Sequence, residues 1–387
     1  MRFLHTADWQ LGMTRHFLAG DAQPRYSAAR RDAVAGLGAL AAETGVEFVV
    51  VAGDVFEDNQ LAPQVISQSL EAMRAIGIPV YLLPGNHDPL DASSVYTSAL
   101  FRAECPKNVI VLDRPGVHEV RPGIEIVAAP WRSKSPTTDL VAEALNGLPA
   151  TDATRDVTRI LVAHGGVDVL DPDKGKPSLI RLANLDRALA DRAIHYVALG
   201  DKHSLTQVGD SGRVWYSGSP EVTNYDDVEA NPGHVLVVDI DESDPQRPVA
   251  VEPKRIGRWR FVTLTREVDN NREIADLDVN LDQMSDKERT VVRLALTGSL
   301  SVTDRAALDA LLDKYARLFA WLCIWESHSD LAVIPADGEF KDLGIGGFAA
   351  SAVDELVETA RAGDNESAED AQAALALLLR LTDRGAA

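Results

Sequence analysis

The sequence predicts a layered α/β fold, a mixed β-sandwich flanked by helices, because two patterns alternate along it. Over the first 200 residues, short β-branched runs such as 46–52 are separated by amphipathic helical stretches. From 109 to 127 and from 205 to 252, strand-like segments follow one another with only Gly, Pro and Asp turns between them, which is typical of antiparallel pairing. Together these patterns indicate a mixed sheet covered by helices.

The elements of the first 200 residues follow from their apolar spacing. The run 46–52 is apolar throughout, as expected of a strand buried on both faces. Pro63 suits the first turn of a helix. The predicted helices are 27–43 and 63–75, and the predicted strands are 2–5, 46–52, 79–83, 160–163 and 195–199.

The pattern changes near residue 256, where a basic, aromatic stretch leads into the strand-like segment 261–264. Strands predicted at 290–296 and 319–325, with a helix over 304–315 between them, indicate a small α+β module. We therefore predict three segments: a main domain over 1–255, a small α+β domain over 256–338, and a helical tail over 339–387 with a final helix at 371–381.

Composition excludes several classes of protein. The formal net charge is −21, so any nucleic-acid contact must come from a local basic patch or from a partner. Cys105 and Cys323 lack the spacing of a disulfide framework or a zinc knuckle. The sequence shows neither the apolar run of a signal peptide nor that of a membrane helix, so a cytoplasmic protein without membrane contact is expected.

Five polar motifs follow predicted strands, at the strand ends where ligands collect in α/β sheets. A lone Gly-Asp or His carries little information, and Gly-Asn alone is typical of a turn. Five such motifs in order favour one shared metal site. The motifs are His5-Thr-Ala-Asp8, Gly53-Asp54, Gly85-Asn86-His87-Asp88, His164-Gly165 and Gly200-Asp-Lys-His203.

The residue types in these motifs predict two divalent ions. Two such ions repel each other at close range, so a carboxylate must bridge them, and Asp54 is the candidate. Asp8 and His203 would hold the first ion, and Asn86 and His164 the second. Imidazole, carboxylate and amide ligands together favour manganese, iron or zinc over calcium.

The same motifs predict a phosphoesterase reaction. Two ions activate a water for in-line attack on phosphorus and stabilise the attacking and leaving oxygens. His87 directly follows a predicted ligand, so it is placed to bind the phosphate or to protonate the leaving oxygen. His5 is expected to support the site or to fill the core.

With these motifs the chain resembles the calcineurin-like metallophosphoesterases and, among them, the SbcD-type DNA repair nucleases. The resemblance covers about residues 1–255. The further matches are Leu11-Gly12 after the first motif, Gly53-Asp-Val-Phe56, Tyr196-Val-Ala-Leu-Gly200 and Tyr216-Ser-Gly-Ser-Pro-Glu221.

The resemblance implies a metallophosphoesterase β-sandwich and a metal-dependent DNA exonuclease or endonuclease. It implies two divalent ions, with Mn²⁺ first and Mg²⁺ or Fe²⁺ as alternatives. It also implies DNA and an SbcC-like ATPase as partners, and a homodimer. By order and size, 256–338 stands where such proteins carry a DNA-capping domain, and 339–387 stands where they attach to the ATPase.

The chain departs from the family pattern at two positions. Gln10 stands where the family has the histidine of Asp-x-His, and Asp201 stands where it has the first histidine of Gly-His-x-His. The resemblance thus implies Gln10 in the first ligand set and Asp201 in the second. Oxygen in place of two imidazoles shifts the preference toward manganese or magnesium. Two interpretations remain open: an altered but active site, or a decayed site in a scaffold that binds DNA or the ATPase. A small phosphodiester or phosphomonoester substrate is a further alternative.

Local basic clusters are candidates for DNA contact. Arginine beside an aromatic residue can hold a phosphate backbone or stack on a base, and Trp259 has three arginines around it. The alternative is a solvated linker with one buried tryptophan. The apolar final helix either packs on its own domain or docks a partner helix. The candidate DNA-binding residues are Arg132, Lys134, Lys202, Arg255, Arg258 and Arg260.

Overall fold

The computed structural model describes residues 1–148, 157–334 and 348–361, together with 367, 370, 371, 374 and 375. Most of the predicted final helix over 371–381 lies outside the described residues. The helices are α1 (Ala22–Thr44), α2 (Pro63–Arg74), α3 (Ala99–Glu104), α4 (Leu140–Asn146), α5 (Leu182–Ala190), α6 (Asn271–Asp282), α7 (Val302–Ala316) and α8 (Phe348–Arg361). None of these described helices has the length and hydropathy of a membrane-spanning segment.

The strands of the main sheets run from the N-terminus to residue 255. The first group is β1 (Arg2–Thr6), β2 (Phe48–Val51), β3 (Val80–Leu82), β4 (Val109–Val111), β5 (Gly116–Arg121) and β6 (Ile124–Ala129). The second group is β7 (Thr158–His164), β8 (Tyr196–Gly200), β9 (Thr206–Gln207), β10 (Val214–Tyr216), β11 (His234–Ile240) and β12 (Val249–Arg255).

The remaining described strands are β13 (Arg260–Glu267), β14 (Thr290–Ser301), β15 (Trp321–Ile324) and β16 (Asp330–Ile334). The chain divides into two compact units, of which the first ends at Arg260 and the second begins at Phe261. The division into three functional segments stays a prediction.

The first unit contains two six-stranded sheets, with the orders β12-β11-β1-β2-β3-β4 and β5-β6-β7-β8-β10-β9. Strands β1 to β4 are parallel, as are β6, β7, β8 and β10. The antiparallel prediction holds for β5, β9, β11, β12 and the pairing of β10 with β9. It is wrong for β4 and for the pairing of β10 with β8. Helix α3 carries the chain back to start β4 parallel to β3, and β10 lies between β9 and β8.

The two sheets pack face to face, with aromatic residues at the centre of their interface. The rings of Phe3 and Phe48 stack at 5.2 Å between centroids, and Tyr196 of the other sheet meets Phe3 edge-on at 5.7 Å. Such pairs contribute about 0.5–1.5 kcal/mol each beyond area burial. Because neighbouring residues of a strand face opposite sides, Leu4 and Val49 point away from this interface, toward the helices.

Helices cover the outer face of each sheet, which confirms the predicted sandwich. Helix α1 buries Tyr26, Val34, Leu37 and Ala41 on one stripe and ends at Gly45, whose left-handed φ of 67° stops the helix. Helices α1 and α2 share one apolar core with the first sheet, and α4 and α5 share another with the second sheet.

The second unit contains the sheet β13-β14-β15, with β16 also paired to β14. Strand β14 is long enough to pair in parallel with β15 along its first half and with β16 along its second half. Leu277 of α6 and Leu308 of α7 pack with Leu294 of β14 in one apolar core. The predicted strand–helix–strand module is therefore present, and β16 adds a strand that was not predicted.

Candidate metal centre

The predicted ligands meet where strands of both sheets end. Asp8 and Asp54 follow β1 and β2 of the first sheet, whereas His164 is the last residue of β7 in the second. One ligand atom from each of these three residues lies within 4.8 Å of the others. Their exposed fractions are 0%, 2% and 4%, so the cluster is buried. It can form only when both sheets have packed together.

The loops that carry the ligands have an unusual backbone. Asp8, Gln10, Asp54 and Asp201 have positive φ angles of 53°, 43°, 52° and 102°. This conformation costs roughly 1–2 kcal/mol for a residue with a side chain. Hydrogen bonds between the loops hold it, including Asp8 N–H to Gly53 O at 3.0 Å and Gln10 N–H to Asp54 O at 2.9 Å. Such strain is characteristic of functional sites.

Glycines let the loops approach each other. A Cβ atom on Gly53 would lie 2.2 Å from Nδ1 of His164, and one on Gly200 would lie 2.0 Å from the Ala52 carbonyl oxygen. Gly53 also has a φ of 96°, which favours glycine. The His164 ring therefore has enough space only because residue 53 is a glycine.

The imidazole of His164 faces three oxygens. Its Nδ1 donates to the carbonyl of Ala52 at 2.9 Å, so in the neutral ring Nε2 carries a lone pair. Nε2 lies 2.7 Å from Asn86 Oδ1, 3.4 Å from Asp54 Oδ1 and 3.9 Å from Asp201 Oδ1. In the neutral ring all four atoms are electron-pair donors, so either a proton on Nε2 or a metal ion must lie between them. The predicted second ligand set therefore converges on one point.

The charges of the cluster are strongly coupled. Burial opposes a charge on His164, but the carboxylates of Asp54 and Asp8 raise its pKa well above the usual value. Burial also opposes ionisation of Asp54, yet His164 and His87 keep its pKa below the usual value. Burial raises the pKa of Asp8 to about 6. The metal-free site thus holds a proton in the place where a metal ion would neutralise the carboxylates.

Members of the first predicted ligand set also lie near one another, although His203 is outside the tightest group among the described residues, which is Asp8, Asp54 and His164. Asp201 donates its backbone N–H to the Asp8 carboxylate at 3.1 and 3.2 Å. The amide nitrogen of Gln10 lies 3.3 Å from Nε2 of His203. Gln10 is 2% exposed, and its amide oxygen is buried with no hydrogen-bond partner among the described residues. This unpartnered oxygen, with the carboxylates and imidazoles around it, fits a divalent metal ion.

His87 lies at the open side of the cluster. Its backbone N–H donates to Asp54 Oδ1 at 3.0 Å, and its Nδ1 donates to the carbonyl of Glu57 at 2.8 Å. Its Nε2 lies 3.9 Å from Asp54 Oδ2, and the side chain is 37% exposed. A fixed Nδ1–H leaves Nε2 to accept a proton from, or donate one to, a group in the cleft.

Asp88, the last residue of the third motif, is structural. Its fully buried carboxylate accepts hydrogen bonds from Gly85 N–H at 2.7 Å, Phe56 N–H at 3.0 Å and the Tyr96 hydroxyl at 2.5 Å. It ties the loop after β3 to the loop after β2. His5 also has a supporting role, because its ring nitrogens contact the Tyr196 hydroxyl and the Leu199 carbonyl.

The motif 216–221 buttresses the metal loops. The hydroxyl of Ser219 donates to the Asp8 carbonyl at 2.9 Å, and its backbone N–H donates to the His203 carbonyl at 3.0 Å. Glu221 accepts from the backbone N–H groups of Arg258 and Trp259. In the sequence, this motif stands out only because it resembles the corresponding motif of the SbcD-type nucleases. No sequence signal marked Thr223 and Glu229, which contact His203.

The basic candidates occupy different surroundings. Trp259 is 2% exposed and packs edge-on against Tyr26 at 5.2 Å, so the alternative in which it stacks on a base is wrong. Arg255 and Arg258 beside it are exposed. Arg132 is also exposed, Arg260 is half-buried, and Lys134 forms an ion pair with Asp58 at 3.2 Å.

An open cleft of about 550 Å³ adjoins the cluster. Asp201 and His203 line it together with Lys202 and Arg15. Lys202 is thus the one predicted DNA-binding residue that lines this cleft. Val228 also lines the cleft and is 63% exposed. The cleft therefore offers cations and an apolar surface beside the predicted ligands.

Residues 1–238 match the calcineurin-like phosphoesterase family. The chain is 26% identical to the SbcD component of the SbcCD nuclease of Rhodobacter capsulatus over 84% of this chain and 87% of the relative. It is 36% identical to the SbcD component of the Bacillus subtilis nuclease over 24% of each chain. It is 33% identical to the DNA double-strand break repair protein Mre11 of Archaeoglobus fulgidus over 23% of this chain and 19% of that one.

The matched region contains every predicted metal ligand, and relatives from the SbcD branch match the same chain. Fold, buried acidic–imidazole cluster and matched residues agree with one another. The chain therefore belongs to the calcineurin-like phosphoesterase family, a family of metal-dependent hydrolases.

Proposed function

We propose that this protein is a DNA nuclease that hydrolyses phosphodiester bonds with two divalent ions. The observation that carries the proposal is the meeting of Asn86, Asp54 and Asp201 oxygens around His164 Nε2, a group of donor atoms that only a proton or a metal ion can hold together. A decayed site would have no reason to keep these electron-pair donors together around the buried His164, because a donor atom that is buried without a partner costs free energy.

The proposed ligand sets share one carboxylate. Asp8, Gln10, Asp54 and His203 would hold the first ion. Asp54, Asn86, His164 and Asp201 would hold the second. With oxygen at the Gln10 and Asp201 positions, Mn²⁺ is the proposed metal, with Mg²⁺ and Fe²⁺ as alternatives. The ions supply activation of water and neutralisation of the phosphate.

The chain's own residues would orient the substrate and move the proton. His87 would contact the phosphate or donate a proton from Nε2 to the leaving oxygen, since Glu57 already occupies Nδ1. Lys202 and Arg15, on the wall of the cleft, would bind flanking phosphates. Such contacts weaken with added salt.

DNA is the proposed substrate because the long match to a nuclease component extends beyond the metal domain. We further propose that 256–338 caps the DNA and that 339–387 attaches to an SbcC-like ATPase in a cytoplasmic complex that contains a homodimer. The exposed Arg132, Arg255 and Arg258, with Lys134 and Arg260, are further proposed DNA contacts.

The test is hydrolysis of a labelled DNA duplex and single strand in the presence of Mn²⁺. Asp54→Ala and His87→Ala should each lose activity by at least about a hundredfold. Matched controls are Asp32→Ala on the exposed side of α1 and His118→Ala on β5, which should cleave like the wild type. Equal activity in all five proteins would refute the nuclease proposal.

Two further measurements separate the alternatives. Faster turnover of a small nitrophenyl diester than of DNA would favour a small-molecule phosphodiesterase. Fewer than two metal ions per chain after equilibration with Mn²⁺, together with no hydrolysis, would favour a structural role. The proposal requires close to two ions and cleavage of DNA.

A further inference from the structure

Nδ1 of His203 faces two buried oxygens. It lies 2.6 Å from Thr223 Oγ1 and 2.8 Å from Glu229 Oε1. Thr223 is 1% exposed and Glu229 is 3% exposed, so neither oxygen can turn to solvent instead. A carboxylate oxygen only accepts hydrogen bonds. In the neutral ring the imidazole hydrogen therefore belongs on Nδ1, which leaves a lone pair on Nε2.

Glu229 is itself held in place. Its Oε2 accepts from the backbone N–H of Thr223 at 2.9 Å, and its Oε1 accepts from the Thr223 hydroxyl. The backbone N–H of Glu229 donates to the Tyr225 carbonyl at 2.9 Å, which fixes the loop that presents the side chain. A buried carboxylate with several donors around it keeps one orientation.

On the basis of the proposed function, we propose that Glu229 is a positioning residue for the first metal ion. It holds the proton of His203 on Nδ1 and so keeps Nε2 free to bind a divalent cation. Carboxylates that receive the second N–H of a metal-binding imidazole fix its tautomer and ring orientation and raise its basicity.

Gln10 stands where the family pattern has a histidine. The contact between Glu229 and His203 is therefore more important in this chain. The side chain that faces His203 Nε2 across 3.3 Å is an amide, not a second imidazole. An amide oxygen is a weaker ligand than an imidazole nitrogen for a transition metal. The first ion would therefore depend more heavily on His203, and so on Glu229, which fixes the tautomer of the His203 ring.

The decisive variant is Glu229→Gln, which keeps the shape and removes the second acceptor oxygen. If the amide oxygen faces His203, the amide NH₂ faces the Thr223 N–H donor. If the NH₂ faces His203, it donates to Nδ1 and moves the ring hydrogen to Nε2. The first orientation brings two hydrogen-bond donors together, and the second blocks the ligating nitrogen of His203. The charge control is Asp210→Asn, at an exposed turn.

The measurement combines ¹⁵N NMR of the His203 ring in metal-free protein, at a pH where the ring is neutral, with Mn²⁺ titration calorimetry. The wild type and Asp210→Asn should carry the hydrogen on Nδ1. Glu229→Gln should bind the first Mn²⁺ about 10–100-fold more weakly and lose the single Nδ1–H tautomer. Thr223→Val, which keeps the carboxylate, should retain that tautomer.

A hydrogen on Nε2 in the wild type would overturn the proposal, even if Glu229→Gln failed to fold. Wild-type Mn²⁺ affinity in a folded Glu229→Gln protein would also overturn it. If the wild type bound Mn²⁺ and showed this tautomer but cleaved no DNA, the nuclease proposal would fail while the role of Glu229 stood.

Discussion

Asn86 Oδ1 lies 2.7 Å from His164 Nε2, and the hydrogen between them exists only when His164 is protonated, because Nδ1 already donates to Ala52. The nearby carboxylates of Asp54 and Asp8 stabilise that proton although burial opposes it. A metal ion and this proton therefore compete for the same lone pair.

Metal affinity should accordingly increase with pH. The pKa of His164 is raised, so at neutral pH the ring is protonated and a metal ion must displace the proton. Calorimetry in buffers of different ionisation enthalpy should show close to one proton released per second-site Mn²⁺ bound, and affinity should rise about tenfold per pH unit below the pKa. Affinity that does not change between pH 6 and 8 would contradict this prediction.

The contribution of two buried carboxyl groups to the stability of the metal-free protein should decrease as pH rises. Burial raises the pKa of Asp8 and of Asp88 to about 6. A raised pKa stabilises the fold below the unfolded value near 4, and this stabilisation is lost as pH rises through about 6. Each shift corresponds to about 3 kcal/mol. The lowered pKa of Asp54 has the opposite effect, because it makes the fold more stable as pH rises, but this effect is confined to pH values below about 4.

Thermal unfolding in EDTA between pH 4.5 and 7.5 is the measurement, with Asp88→Asn as the reference because its side chain stays neutral. The melting temperature of the wild type relative to that of Asp88→Asn should fall across this range, whereas His5 and His195, whose pKa values burial lowers to about 3 and about 4, affect both proteins alike. A wild-type melting temperature that rises relative to that of the variant as pH increases would contradict the prediction.

Gly53→Ala should disable the site more than it destabilises the fold. The added Cβ would lie 2.2 Å from His164 Nδ1, so the ring must move, and the residue would keep a φ of 96°. The expected strain is about 1–3 kcal/mol, with Mn²⁺ affinity reduced at least tenfold. Gly36→Ala is the matched control, because a Cβ there meets nothing within 4 Å and Gly36 lies inside α1.

Gly36→Ala should stabilise the protein by about 0.5–1 kcal/mol without changing metal binding. Chemical denaturation and Mn²⁺ titration on both variants provide the comparison. Unchanged metal affinity in Gly53→Ala would show that His164 is not confined by the glycine.

Tyr96→Phe should cost stability but leave the number of bound ions unchanged. The hydroxyl donates to the buried carboxylate of Asp88 at 2.5 Å, away from the ligating atoms. Loss of a hydrogen bond to a charged group costs about 1.5–3 kcal/mol. Denaturant unfolding measures the cost, and a loss of bound Mn²⁺ in the folded variant would show that Asp88 also governs metal binding.

Placing imidazoles at the two positions where the family pattern has histidine should change the preferred metal. Gln10→His with Asp201→His exchanges two oxygen donors for nitrogen, so zinc should gain on manganese by on the order of tenfold, about 1.4 kcal/mol. Competition dialysis followed by metal analysis measures the ratio. An unchanged ratio would mean that neither side chain touches metal in the native protein.

The sequence predicted the sandwich well, and the structure brings the candidate ligands Asp8, Asp54 and His164 together, because both depend on local patterns. Buried runs such as 46–52, and the motifs that follow them, can be identified from the local sequence without knowledge of which residues lie beside them in the fold. The parallel pairing of β10 was not predictable, since β9 and β10 are short and their partners are set by packing. The contact of Glu229 with His203 spans 26 residues and involves a residue type that is common on surfaces. The buried position of Trp259 depends on Tyr26, far away in the sequence.

Asp8 and Asp201 are joined by a hydrogen bond although 193 residues separate them, and the loop that steadies His203 comes later still. A chain emerging from the ribosome therefore exposes its first ligand long before the last is made. The proposed nuclease cannot cut nucleic acid beside it until more than half of its length has been synthesised. The order of synthesis thus delays assembly of the proposed metal centre until the segment that carries Asp201 and His203 has been made.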